Sequence, residues 1–249
     1  MSLDHDHTTS AIAQRLAMGP KHSYLRDFVY GGVDGAVTTF AVVAGAAGAG
    51  LGAAVVLIFG AANLIGDGFS MAAGNFLATQ IDRKRVLKLR SVEEAHIRDV
   101  PEGEREEVRQ IFAAKGFSGE VLEKVVSVIT SDPKLWVDTM LREEWGLSLE
   151  TPSPLRAAGA TFAAFFIAGA IPLLPFAADF IRGSALAASF YWSAGATAAV
   201  FFLLGAAKSR FTGETWFRSG FETLLVGCAA ALMAYIAGDG LEHFLRGHF

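Results

Sequence analysis

Two aspartates interrupt the most apolar part of the chain. Between residues 28 and 80 the only formal charges are Asp34 and Asp67. A charge at the centre of a bilayer costs at least about 2.5–3.5 kcal/mol, so acids in such segments face a polar cavity and mark ion pathways. The positions of these two acids therefore predict a cation pathway. The alternative for Asp67 is a protonated carboxyl bonded to a neighbour.

Helical spacing groups further donors with these acids. Asp27 and Asp34 are seven residues apart and share one helix face, while Asn63, Asp67 and Met71 follow at intervals of four and share another. Carboxylates suit Fe²⁺ and Mn²⁺, and a thioether adds a preference for softer metals over Mg²⁺ or Ca²⁺. Two alternatives stay open: Met71 as packing, and Asn63 as a helix–helix hydrogen bond.

A second set of donors lies in a charged insert. Acids, a histidine and a methionine recur there three or four residues apart, which places them on shared helix faces where carboxylates can hold a metal. A solvated glutamate-rich surface is the alternative. The members are Glu93, His96, Glu104, Glu107, Met140, Glu143 and Glu144.

Composition limits the class of protein that carries these groups. Of 249 residues, 52% are hydrophobic and only 18% are charged, against roughly a quarter in ordinary soluble domains. The pI near 5.9 argues against a nucleic-acid partner. The single cysteine, Cys228, excludes an intrachain disulfide and a cysteine-cluster metal site.

Apolar length predicts an all-α polytopic membrane protein. Five stretches reach the roughly 20 residues that a membrane helix needs. They are 28–49, 53–79, 157–180, 185–207 and 220–237. The second should continue beyond the membrane as one long helix, and Pro172 and Pro175 should kink or end the third. The predicted organisation is a polar terminus (1–22), two membrane helices (23–81), an inserted helical domain (82–155) and three membrane helices (156–249).

Within the insert, breakers predict short helices. Pro101 should interrupt the long helix, Ser118 should cap a helix over 119–130, and Asp132 should cap another that starts at Pro133.

The distribution of basic residues predicts the orientation. Lys and Arg cluster at 21–26, 83–90 and 208–218, whereas the opposite loops hold only Arg182. By the positive-inside rule the N-terminus and the 82–155 domain are cytoplasmic and the C-terminus is outside. Residues 1–20 lack the apolar core of a cleavable signal peptide, so we expect a multi-pass protein of the cell inner (plasma) membrane.

Several motifs resemble the vacuolar iron transporter family. They are Arg26-Asp27-Phe-Val-Tyr-Gly-Gly-Val-Asp34-Gly35, Gly68-Phe-Ser-Met71-Ala-Ala-Gly74, the glutamate-rich insert and Ile171-Pro-Leu-Leu-Pro175. The resemblance begins near Tyr24 and covers nearly all of the chain that follows. It implies five membrane helices, a homodimer, exchange of Fe²⁺ and often Mn²⁺ against protons, and a cytoplasmic domain that collects the metal.

Matched by motif, the resemblance assigns transport roles to Asp27, Asp34 and Met71. It assigns metal capture to the insert, where one Glu-x-x-Glu pair is intact at Glu104 and Glu107. The other pair reads Glu93-x-x-His96, and a family glutamate two turns before Met71 is replaced by Asn63.

The predicted function is a divalent-metal transporter without a prosthetic group, carrying Fe²⁺ or, second, Mn²⁺ out of the cytoplasm in exchange for protons. Its partners would be metal ions, protons, the lipid bilayer and a second copy, with Gly31 and Gly35 at the dimer seam or, alternatively, packed within one subunit. The rivals are a membrane-anchored metal sensor or storage protein and a passive cation channel. We expect no enzyme, because the sequence contains neither His-Glu-x-x-His nor Gly-x-Ser-x-Gly.

Overall fold

The computed structural model describes residues 6–18, 22–182 and 186–246, and all regular elements in these ranges are helices. Lys21 and the first residue of the stretch predicted at 185–207 lie outside them. The helices are α1 (Thr9–Met18), α2 (Leu25–Gly48), α3 (Ala53–Asp99), α4 (Pro101–Ala114), α5 (Gly119–Ser131), α6 (Pro133–Glu143), α7 (Pro154–Ala170), α8 (Leu174–Arg182), α9 (Leu186–Thr212) and α10 (Trp216–Arg246). The all-α prediction is confirmed, whereas α1 was not predicted.

The chain divides into two compact units. The polar unit comprises the described residues of Met1–His22 together with Ala78–Ser153, and the apolar unit comprises Ser23–Leu77 together with the described residues of Pro154–Phe249. The helix α3 contributes to both, because its 47 residues contain no proline or other interruption.

Five helices in the described residues are long and apolar enough to cross a membrane, as predicted. They are Leu25–Gly48, Ala53–Asp99, Pro154–Arg182, Ala188–Thr212 and Trp216–Arg246. The third is interrupted at its prolines, as predicted: α7 ends at Ala170, a 3₁₀ turn covers Ile171–Leu173, and α8 begins at Leu174.

In the apolar unit, α2 packs against α7, α9 and α10. Gly31 and Gly35 let α2 approach α7 so closely that a Cβ at either glycine would collide with the backbone carbonyl of Thr161 or Phe165. The prediction that these glycines form a dimer seam is therefore wrong. Their face is used inside the chain, since backbone contact between helices requires residues without side chains.

The polar unit is a small helical core. Asp132 caps α6 as predicted, with Oδ1 accepting from the backbone N–H of Lys134 at 2.9 Å and of Leu135 at 3.4 Å. Ser118 occupies the N-cap of α5, but its side chain makes no capping hydrogen bond. The buried apolar side chains that hold α4, α5 and α6 together are Val108, Leu122, Val126, Ile129, Trp136 and Met140.

Candidate metal sites

Asp34 and Asp67 form the charged part of the candidate pathway in the apolar unit. Asp34 is half-buried on α2, Asp67 is exposed on α3, and the two carboxylates lie close enough for their charges to interact. The first part of α3 also exposes large apolar side chains on either side of Asp67, at Phe59, Ile65 and Phe69. This stretch of α3 therefore presents an acid within an apolar surface.

Asn63 ties α3 to α2. Its Nδ2 donates to the hydroxyls of Thr38 and Thr39, each at 3.2 Å, and Thr38 in turn donates to the backbone carbonyl of Asp34 at 2.9 Å. The alternative of a helix–helix hydrogen bond is thus what the structure contains. Only the carbonyl oxygen of Asn63 has the chemistry of a metal ligand.

Asp27 is held by Asn75, a residue that was not among the predicted site residues. Asn75 Nδ2 donates to Asp27 Oδ1 at 2.9 Å and to Thr161 Oγ1 at 2.7 Å, which links α3 to α2 and α7. The signal was present, because Asn75 extends the interval of four that begins at Asn63. Met71, in the same series, packs against the apolar core, as the packing alternative predicts, and its place in the metal pathway stays a prediction.

The polar unit brings three predicted ligands together. One ligand atom each from Glu93, His96 and Glu104 lies within 4.8 Å of the other two. His96 Nδ1 is 3.2 Å from Glu104 Oε1. Glu93 and Glu104 are only 1% and 4% exposed, and Oε2 of each is buried without a hydrogen-bond partner in the described part of the chain. Buried carboxylate oxygens without partners are costly, so this arrangement favours a bound cation.

Two further acids reach this cluster electrostatically. Burial, and after it the charges of Glu93, Glu107 and Glu144, raises the pKa of Glu104 to about 7, although His96 opposes the shift. Burial and the charges of Glu93 and Glu107 also raise the pKa of Glu144. Crowded carboxylates of this kind compete for protons and cations at the same positions.

The remaining predicted ligands are placed differently. Glu143 forms an ion pair with Lys115, which withdraws it from the cluster, so of the two adjacent glutamates Glu144 is the one on the cluster side. Met140 is fully buried in the apolar core of the unit. Trp145 was not among the predicted site residues, yet its Nε1 donates to Glu93 Oε1 at 2.8 Å.

The family model and the similar proteins that match this chain all point to one family of transporters. The model of the VIT family matches residues 25–239. Vacuolar iron transporter 1 of Arabidopsis thaliana is 33% identical over 227 residues, covering 88% of this chain and 86% of the relative. Vacuolar iron transporter 2 of Oryza sativa is 34% identical, with 85% of each chain covered, and the vacuolar iron transporter of Toxoplasma gondii is 32% identical, with 88% and 74% covered. The membrane helices, the paired acids and these similarities together place the chain in the VIT family.

Proposed function

We propose that this chain transports divalent metal ions across a membrane, with Fe²⁺ the first candidate and Mn²⁺ the second. The observation that carries the proposal is the pair Asp34 and Asp67, which interact electrostatically within apolar helices that contain no Lys or Arg between residues 28 and 80. An anchor would not need these acids, whereas a cation pathway does. The names of the relatives, vacuolar iron transporters, support the choice of iron.

Proton exchange is the proposed coupling. The same carboxylates would bind either a proton or a metal ion, so a pH difference would drive metal in the opposite direction. Capture from the cytoplasm would begin at the cluster of Glu93, His96 and Glu104, and metal released there would next occupy the membrane acids. The donor set of carboxylate and imidazole suits Fe²⁺ and Mn²⁺.

A homodimer is the proposed working form. Asp67 is exposed in the single chain, and Phe59, Ile65 and Phe69 on the same part of α3 are more than 60% exposed. A carboxylate that faced hydrocarbon would be expensive, so we expect a second copy to cover this part of α3. The proposed location is the cell inner membrane, with the N-terminus and the polar unit in the cytoplasm, the C-terminus outside, and export as the direction of transport. The basic residues counted above support this orientation.

Reconstitution into liposomes with a metal-sensitive dye tests the function. An inward flux of Fe²⁺ or Mn²⁺ that grows with an imposed pH gradient supports an antiporter. Flux that follows only the metal gradient indicates a channel. Metal binding without any flux indicates a sensor or storage protein and overturns the proposal.

Variants then test the residues. Asp34→Ala and Asp67→Ala should each abolish flux, whereas Glu214→Ala, which removes an acid from an exposed loop, should leave it unchanged. Wild-type flux from the Asp67→Ala protein would remove that residue from the mechanism.

A further inference from the structure

Glu93 is held in an unusual way for a buried acid. Its side chain is 1% exposed, Oε1 accepts a hydrogen bond from the indole N–H of Trp145 at 2.8 Å, and Oε2 has no partner in the part of the chain that the structure describes. The two oxygens of one carboxylate are therefore differentiated. Oε1 is bonded to a fixed donor, whereas Oε2 is buried and accepts no hydrogen bond in the described residues, and one of the two oxygens lies within 4.8 Å of ligand atoms of His96 and Glu104.

Trp145 is itself fixed by the end of α6. Its backbone N–H donates to the carbonyl of Met140 at 3.3 Å, Gly146 follows with φ of +62°, and the N–H of Leu147 returns to the carbonyl of Leu141 at 2.9 Å. This is a glycine-terminated helix end, in which the left-handed residue reverses the chain and satisfies the last carbonyls. The position of the indole is thus set by α6, whereas the carboxylate that it holds belongs to α3.

We propose that Trp145 is a positioning residue of the metal cluster. Its indole N–H occupies one oxygen of Glu93, fixes the rotamer of that carboxylate and directs the other oxygen to a divalent cation. An indole N–H only donates and stays protonated throughout the physiological pH range. Its hydrogen bond to Glu93 therefore persists when the neighbouring carboxylates gain or lose protons. Partners that orient a metal ligand typically change metal affinity by 10–100-fold when they are removed. This inference rests on the proposed metal capture by the polar unit.

The test uses the full chain in detergent with Asp34→Ala and Asp67→Ala, so that Mn²⁺ binding reports on the polar unit. Trp145→Phe keeps the ring but removes the donor. The matched control is Trp136→Phe in the same unit, because Trp136 is buried with its Nε1 unpartnered in the described residues, and the exchange removes no hydrogen bond. We expect the Kd for Mn²⁺, from the electron paramagnetic resonance signal of the free ion, to rise about tenfold for Trp145→Phe and less than twofold for the control.

A double-mutant cycle separates positioning from a general loss of structure. If Trp145 acts through Glu93, then Trp145→Phe should change the Kd by less than twofold when Glu93→Gln is already present. If the two substitutions change the Kd independently, so that their fold-changes multiply in the double variant, the proposal is overturned. A Trp145→Phe protein that binds Mn²⁺ as tightly as its parent would also overturn it. Failure of the parent to bind Mn²⁺ would overturn metal capture as well, whereas equal binding by the parent and Trp145→Phe would overturn only the role of Trp145.

Discussion

Lowering the pH should weaken metal binding by the polar unit, and the loss of apparent affinity can be calculated from the pKa of Glu104. Burial and the charges of Glu93, Glu107 and Glu144 raise the pKa of Glu104 to about 7. Below that pH the metal-free side chain carries a proton, which an arriving cation must displace. Apparent affinity therefore falls as the pH falls through the pKa and becomes independent of this residue above it.

The expected size follows from that single proton. For a group with a pKa near 7, the proton weakens apparent binding by a factor of one plus the ratio of protonated to ionised side chain. Moving from about pH 7.5 to about pH 5.5 raises this factor about 25-fold, or ~1.9 kcal/mol. Glu104→Gln removes this proton while preserving the shape of the side chain. The variant should bind more weakly at high pH, but its affinity should lose about 25-fold less than wild type across the same interval.

Quenching of Trp145 fluorescence by Mn²⁺ is the assay, in a full chain whose other three tryptophans are replaced by Phe. The indole contacts Glu93, so the signal reports on this cluster. The other titrating groups of the site remain in both proteins, so the difference between the two pH profiles reports on Glu104 together with the groups whose charges interact with it. Identical pH profiles for wild type and Glu104→Gln would refute the reasoning.

Three further predictions concern stability and coupling. In the metal-free chain Glu104→Gln should raise the thermal unfolding midpoint at about pH 8 but not at about pH 4.5. The raised pKa means that ionised Glu104 destabilises the folded state by up to roughly 3 kcal/mol, and this destabilisation disappears when the carboxylate is protonated. A midpoint lowered at both pH values would contradict the prediction. Gly35→Ala should destabilise the apolar unit by about 2 kcal/mol or more, since its Cβ would meet the backbone of Phe165. Gly159→Ala, with open space around it inside α7, should instead leave the unit as stable or stabilise it by up to about 1 kcal/mol in the same thermal assay, because alanine favours a helix interior over glycine. Asn63→Glu should steepen the pH dependence of liposome transport if a carboxylate at this position couples protons, and an unchanged profile would mean that Asp67 already couples protons or that this position plays no part in coupling.

Much of the fold was predictable because it depends on local sequence. Five apolar stretches of sufficient length specify five membrane helices, since a spanning segment satisfies its own backbone hydrogen bonds. The absence of a breaker from Ala53 to Asp99 specifies one long helix, and Asp132 followed by Pro133 specifies where α6 begins. Helical periodicity likewise placed Glu93 and His96 on one helix face and predicted that this face could hold a metal ion.

Tertiary structure decided which faces meet. Periodicity assigns a residue to a face of its own helix, but the partner of that face depends on packing between distant segments. Gly31 and Gly35 have the spacing of a helix contact, and only the fold shows that they meet α7 of the same chain. Glu143 and Glu144 are adjacent and chemically identical, yet Lys115 pairs with the first, whereas burial and the charges of Glu93 and Glu107 raise the pKa of the second. Asn75 and Trp145 take their significance from acids 48 and 52 residues away in sequence, Asp27 and Glu93, which no local pattern relates to them.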